Sequence, residues 1–177
     1  MTYKEYKEIL AYELYHGKKL SLLKRIRSKY FTLSTSCVYL CRKMWYLYSK
    51  GPVSRFIALL YKQKIMRRFG CWIDHKAKVG KGLVMPHPVG IVMGSCTIGD
   101  DCTIYQNVSI GEKHIGDGEQ RGMYPTIGNN VKIFTSSIIL GGISVCDNTY
   151  IGANSLVIKT IDEPGTYVGN PVRRIAD

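Results

Sequence analysis

The sequence predicts a mainly β chain, a parallel β-helix preceded by an α-helical region. Three observations carry that expectation. An aliphatic residue recurs every six positions at Ile127, Ile133, Ile139, Val145, Ile151 and Val157. Helices repeat at about 3.6 residues and strands at about 2, so this period belongs to neither. Six-residue units instead stack as short strands and corners, three to a coil, burying a continuous aliphatic column. The period also returns upstream, at Ile73, Val79 and Met85 and again at Ile98, Ile104 and Ile110. Third, residues 1–69 hold 16 Lys/Arg against 3 Glu, whereas the rest of this +12 chain is close to neutral. The expected division is a basic helical region over 1–70 and a repeat domain over 71–177.

Two breaks interrupt the period. Met85 to Ile98 spans thirteen positions where two units predict twelve, which places one extra residue near Pro86–Ile91. Ile110 to Ile127 spans seventeen, and its polar, Gly-rich stretch predicts a loop protruding over 112–126. Loops of this length in a regular scaffold are usually functional.

In the N-terminal third, residues 2–15 place Tyr6, Ile9, Leu10 and Leu14 on one helical face. Leu20–Tyr30 reads as a second, basic helix, and Phe31–Ser49 follows up to the Gly51-Pro52 break. Ser54 is the expected cap of a last helix over Arg55–Phe69, with Phe56, Leu59, Leu60 and Met66 on one face. The apolar run before Arg42-Lys43 is too short to span a bilayer. Basic helices with aromatic faces suit an anionic membrane surface; equally, they pack on one another and leave the lysines solvated. No nucleic-acid-binding motif is present, so no nucleic acid partner is expected. The first twenty residues include Lys4, Glu5, Lys7, Glu8 and Glu13, unlike a cleavable signal. Six cysteines without a CxxC spacing read as reduced thiols of a cytoplasmic chain, peripheral at the inner membrane face if the helices dock there.

The residues that break the repeat carry the chemistry. His87 sits at the extra position, between Pro86 and Pro88. It is either a general base at neutral pH or a surface histidine in a stiff turn. No metal site is expected: His75, His87 and His114 lack the close late pair that a zinc carbonic anhydrase of this architecture would need.

The stretch Gly82–Gly94 around Met-Pro-His87-Pro, the loop ending Tyr124-Pro-Thr-Ile-Gly128, and Gly169-Asn-Pro171-Val-Arg-Arg-Ile175 together resemble one family. It is the serine-acetyltransferase-like branch of the hexapeptide-repeat acyltransferases, closest in look to capsule and exopolysaccharide O-acetyltransferases. The resemblance covers about Gly70–Ile175. It implies a left-handed β-helix, a homotrimer, and acetyl-CoA in the groove between adjacent subunits. It also implies that His87 takes the acceptor's hydroxyl proton in a ternary complex. Donor-site positions that match are Thr135, Gly141, Gly142 and Ala153, with Lys159, Arg173 and Arg174 for the phosphates.

Where the family has an acidic residue fifteen positions before the histidine, this chain has Trp72; Asp74 is the nearest substitute. Pro86 replaces the acidic residue that helps hold serine's amino group, and Met123-Tyr124 replaces the Arg-His pair that grips its carboxylate. These departures lead to the expectation of a sugar or lipid-linked saccharide acceptor in surface-polysaccharide biosynthesis. Trp72, Pro86, His114 and Tyr124 would line its site. The alternatives are serine O-acetylation in cysteine biosynthesis, and an inactive trimeric scaffold.

Overall fold

The computed structural model describes residues 1–15, 21–30, 32–113 and 123–175. Four helices come first: α1 (Tyr3–Tyr15), α2 (Leu22–Tyr30), α3 (Leu33–Tyr48) and α4 (Pro52–Phe69). Among the described residues, fourteen short strands then wind into a three-faced coil. The first face stacks β1 (Trp72–Ile73), β3 (Val92–Met93), β6 (Ser109–Gly111), β9 (Ile138–Leu140) and β12 (Leu156–Val157). The second holds β2 (Lys78–Val79), β4 (Thr97–Ile98), β7 (Thr126–Ile127) and β10 (Ser144–Val145). The third holds β5 (Thr103–Ile104), β8 (Lys132–Ile133), β11 (Thr149–Ile151), β13 (Gly165–Val168) and β14 (Arg173–Ile175). All pairings are parallel except that of β14, which folds back antiparallel on β13.

Register explains the six-residue period. Ile73 pairs with Met93, Met93 with Ile110, and Ile110 with Ile139, and all four side chains are buried. Corners need left-handed backbone, and Asn and Asp tolerate it better than other side chains. Asn107, Asn130, Asn148, Asn154 and Asp101 accordingly sit at corners with positive φ.

The single extra residue expected near Pro86–Ile91 is instead a pair of opposite slips. Met85 to Met93 takes eight positions, two more than a unit, and Met93 to Ile98 takes five, one fewer. The first slip bulges the turn that carries His87; the second tightens the corner at Gly94–Cys96.

The last helix begins at Pro52, with Gly51 as its cap in extended conformation, rather than at Ser54. Proline at a first helical position is pre-set for the helix and its missing N–H costs nothing there. The face of α4 that packs carries Ala58, Ile65 and Phe69, while Phe56, Leu59 and Leu60 point to solvent. Helix α3 lies against α1, α2 and α4.

Arg42 of α3 ties the helices to the first coil. Its guanidinium forks onto Glu13 of α1 and donates to Val79 O (2.7 Å) and to Gly80 O. Glu13 in turn accepts the Leu83 N–H at 2.9 Å, and Trp45 Nε1 donates to Asp74 O at 3.0 Å. One hydrophobic core therefore runs from Cys37 and Met44 through Ile73 to Val157.

Candidate active site

Two edges of the prism flank its first face, and they gather most of the residues that the sequence singles out. One edge joins the third face to the first. It carries His87 at the first coil, Thr135 at the third and Ala153 at the fourth. Its corners stack by backbone bonds from Asn107 N to Val89 O, Ser136 N to Gln106 O and Asn154 N to Thr135 O. The other edge, between the first and second faces, carries Asp74, Ser95, Tyr124, Gly141-Gly142 and Lys159. Between the edges, Trp72, Val92 and Ile138 are exposed on the first face, with Ser109 standing between the last two, and Trp72 is 49 % accessible.

His87 is exposed on its bulged turn, which the Val89 N–H closes onto His87 O at 2.8 Å. The turn rides directly above the start of β1: Trp72 N donates to Ile91 O at 2.8 Å. Prolines on both sides and left-handed Gly90 fix it there. A Cβ on Gly90 would lie 2.2 Å from Asn107 Oδ1, so this turn needs glycine.

Asp74 sits on the opposite edge, with the first face between it and His87. Its Oδ1 accepts the Lys76 N–H (2.7 Å) and the Ser95 hydroxyl (3.2 Å), and its Oδ2 lies 3.5 Å from Lys62 Nζ. It therefore does not pair with His87 within the chain. Burial raises the Asp74 pKa, but the Lys76 N–H and the Lys62 charge outweigh it and hold the carboxyl below its ordinary value. Lys62 Nζ also sits 4.4 Å from the Trp72 ring centroid. The neighbouring His75 lies tilted against Tyr48 with centroids 4.3 Å apart, and its buried Nδ1 has no hydrogen-bond partner among the described residues.

The end of the loop lies flat on this second edge. Tyr124 packs where Gly94 has no Cβ, a Cβ there falling 2.5 Å from its ring, and its hydroxyl contacts Ser95. Met123 covers Gly142 in the same way. The chain's own Met123 thus occupies the space beside Gly142. Gly141 turns the corner at φ 95 on the edge away from Thr135 and Ala153. Arg174 pairs with Glu163 at 2.9 Å, and Arg173 is exposed beside it on β14. Lys159 is exposed, Pro86 half-buried, and His114 lies outside the described residues. Burial raises the Cys96 thiol to about 12. Among the described residues no three His, Cys, Asp or Glu side chains are grouped to hold a metal.

Residues 124–159 match the family model described as bacterial transferase hexapeptide (six repeats). The chain folds as a left-handed parallel β-helix, and residues 124–159 carry its hexapeptide repeats. Over 120 residues, 66 % of this chain and 54 % of the relative, it is 42 % identical to the serine acetyltransferase of Staphylococcus aureus strain Mu50. The chain thus spans about half the length of the curated relatives it matches. Among solved structures, a serine acetyltransferase in complex with CoA superposes with TM-score 0.78 at 26 % identity, over 98 % of this chain and 71 % of that one. The Neisseria gonorrhoeae serine acetyltransferase reaches TM-score 0.80 at 24 % identity over 99 % and 68 %, a likeness of fold that includes the N-terminal helices.

These findings overturn the expected sugar acceptor and the placement in surface-polysaccharide biosynthesis. The relatives named here are serine acetyltransferases, not capsule O-acetyltransferases. The expectation weighed Trp72, Pro86 and Met123-Tyr124 alone, whereas in the structure helix α4 also sets Lys62 against Trp72. Lys62 was missed because it is one of 16 basic residues in the first 69, and nothing local in the sequence marks it.

Proposed function

We propose that this repeat protein is an acetyl-CoA-dependent serine O-acetyltransferase, as its relatives are named. The observation that supports it most is His87, exposed on a proline-braced turn at the head of the edge that also carries Thr135 and Ala153. On this reading His87 removes the proton from the serine hydroxyl as that oxygen attacks the thioester carbonyl carbon. The C–S bond then breaks, and the imidazolium returns its proton to the leaving thiolate, giving O-acetylserine and CoA. Backbone N–H groups of the coil corners are the candidate donors to the oxyanion. No residue becomes acylated, so both substrates bind together.

The protein acts as a homotrimer on this reading. Val92 and Ile138 are exposed on the first face in one chain and would be covered by a neighbour. The basic N-terminal region docks on an anionic membrane surface. Val53, Phe56 and Leu60 recur along one side of α4 and are exposed, with Lys64 and Arg67 exposed on the same helix. No helix among the described residues is long and apolar enough to cross a membrane.

The deciding assay offers acetyl-CoA with serine, threonine, nucleotide sugars and water, and measures CoA release. Turnover with serine well above the others is expected. Turnover with a sugar and none with serine would overturn the reading.

A further inference from the structure

We propose that Lys62 and Asp74 read the two charges of the amino-acid acceptor, Lys62 the carboxylate and Asp74 the ammonium. This rests on the serine reading. The family's loop Arg-His pair is Met123-Tyr124 here, and its acidic residue beside the histidine is Pro86. An amino acid therefore needs a different cation and a different anion in this chain. Helix α4 brings Lys62 to the first coil, where it pairs with the coil's own Asp74.

The pair is built loosely. Lys62 Nζ and Asp74 Oδ2 are 3.5 Å apart, well beyond the roughly 2.7–2.9 Å of a tight charge-assisted bond. Both side chains are largely withdrawn from water, at 15 % and 19 % accessible. Asp74 Oδ1 is taken by Lys76 N–H and Ser95, whereas Oδ2 keeps capacity for a second donor. The ammonium rests on the Trp72 ring, which holds a cation in place while leaving its N–H donors available.

A staple for α4 is the competing role, and the structure supplies that role elsewhere. Trp45 Nε1 on Asp74 O, Arg42 on Val79 O and Gly80 O, and the buried Ile65 and Phe69 already dock the helices. Position also fits. Trp72 and Asp74 are two residues apart, about 6.6 Å along an extended strand, and His87's turn rides above the near end. A small zwitterion laid across Trp72 would present its hydroxyl toward the His87 edge and its charges toward Lys62 and Asp74.

The test compares serine with serine methyl ester, which lacks the carboxylate charge, in wild type, Lys62→Met and Lys62→Arg, with acetyl-CoA as donor. Wild type is expected to prefer serine by tenfold or more in kcat/KM. Lys62→Met should raise KM for serine about tenfold or more, erase that preference and leave KM for acetyl-CoA unchanged. Lys62→Arg should restore most of the preference. Asp74→Asn should weaken serine relative to a hydroxy acid such as glycerate, which has no ammonium. Thermal unfolding of each variant checks that the fold persists. Wild type that turns over serine while Lys62→Met keeps the full preference would overturn this proposal and leave the serine reading intact. No serine turnover by wild type would end both.

Discussion

Arg42 and Glu13, 29 residues apart, form a forked ion pair whose shortest contact is 2.6 Å, with both side chains nearly inaccessible. The pair lies where helices α1 and α3 meet the first coil, and its remaining capacity is spent on Val79 O, Gly80 O and Leu83 N. Removing one partner strands a buried charge, which costs about 3–5 kcal/mol. Arg42→Leu should therefore lower stability by that amount in denaturant unfolding. A loss below about 1 kcal/mol would show that the junction is held by its apolar contacts alone.

His87→Ala should reduce turnover by roughly two to four orders of magnitude, the usual scale for a general base. Its KM for acetyl-CoA should stay close to wild type, because the imidazole acts on the acceptor. Steady-state kinetics with a variant above about a third of the wild-type rate would remove His87 from the mechanism.

Burial pulls the His75 imidazole below its ordinary 6.5, and Asp74, 4.0 Å away, only partly offsets it. The unfolded chain therefore binds a proton near pH 6.5 that the folded chain refuses. Stability is full above that pH and falls as pH drops from 6.5 toward the folded value. Asp74, lowered from 3.8, titrates beneath this window. Thermal midpoints at pH 7.5 and 5.5 should differ clearly in wild type and much less in His75→Gln. Equal differences in the two would assign the loss to another group.

The six-residue period makes most of the architecture legible in the sequence, because each coil repeats one simple demand for an aliphatic residue pointing inward. The site was only half legible. His87 stood out because it interrupts a rule, and so did the loop. The two slips around it had partly cancelled in the residue count, so a two-residue bulge and a one-residue contraction read as one extra residue. No local pattern tells that Met123 folds back over Gly142. Lys62 was invisible: its meaning comes from a contact with Trp72 across the boundary between helix and coil.

Ile138→Arg should test the exposed first face. Val92 and Ile138 line that face between the two edges that carry the site residues. A charge placed there should convert a trimer to monomers in light scattering and lower activity with it. A wild-type chain that is monomeric and fully active would refute the shared site.

Vesicles containing phosphatidylglycerol should bind the full chain, weakening with salt, while neutral vesicles should not. Each Lys or Arg near an anionic surface contributes about 1 kcal/mol. The double variant Phe56→Ser with Leu60→Ser should release most of that binding in a sedimentation assay. Equal binding by variant and wild type would sink the membrane reading.

A parallel solenoid has two raw ends, each a ring of strand edges able to accept another molecule's strands. In this chain both are stoppered. At one end β14 doubles back on β13; at the other, Arg42 and Glu13 occupy Val79 O, Gly80 O and Leu83 N. A version trimmed near Gly70 would lose the second stopper and leave its first coil open to end-to-end stacking. Size-exclusion chromatography of the trimmed chain should then show higher assemblies that the full chain does not form.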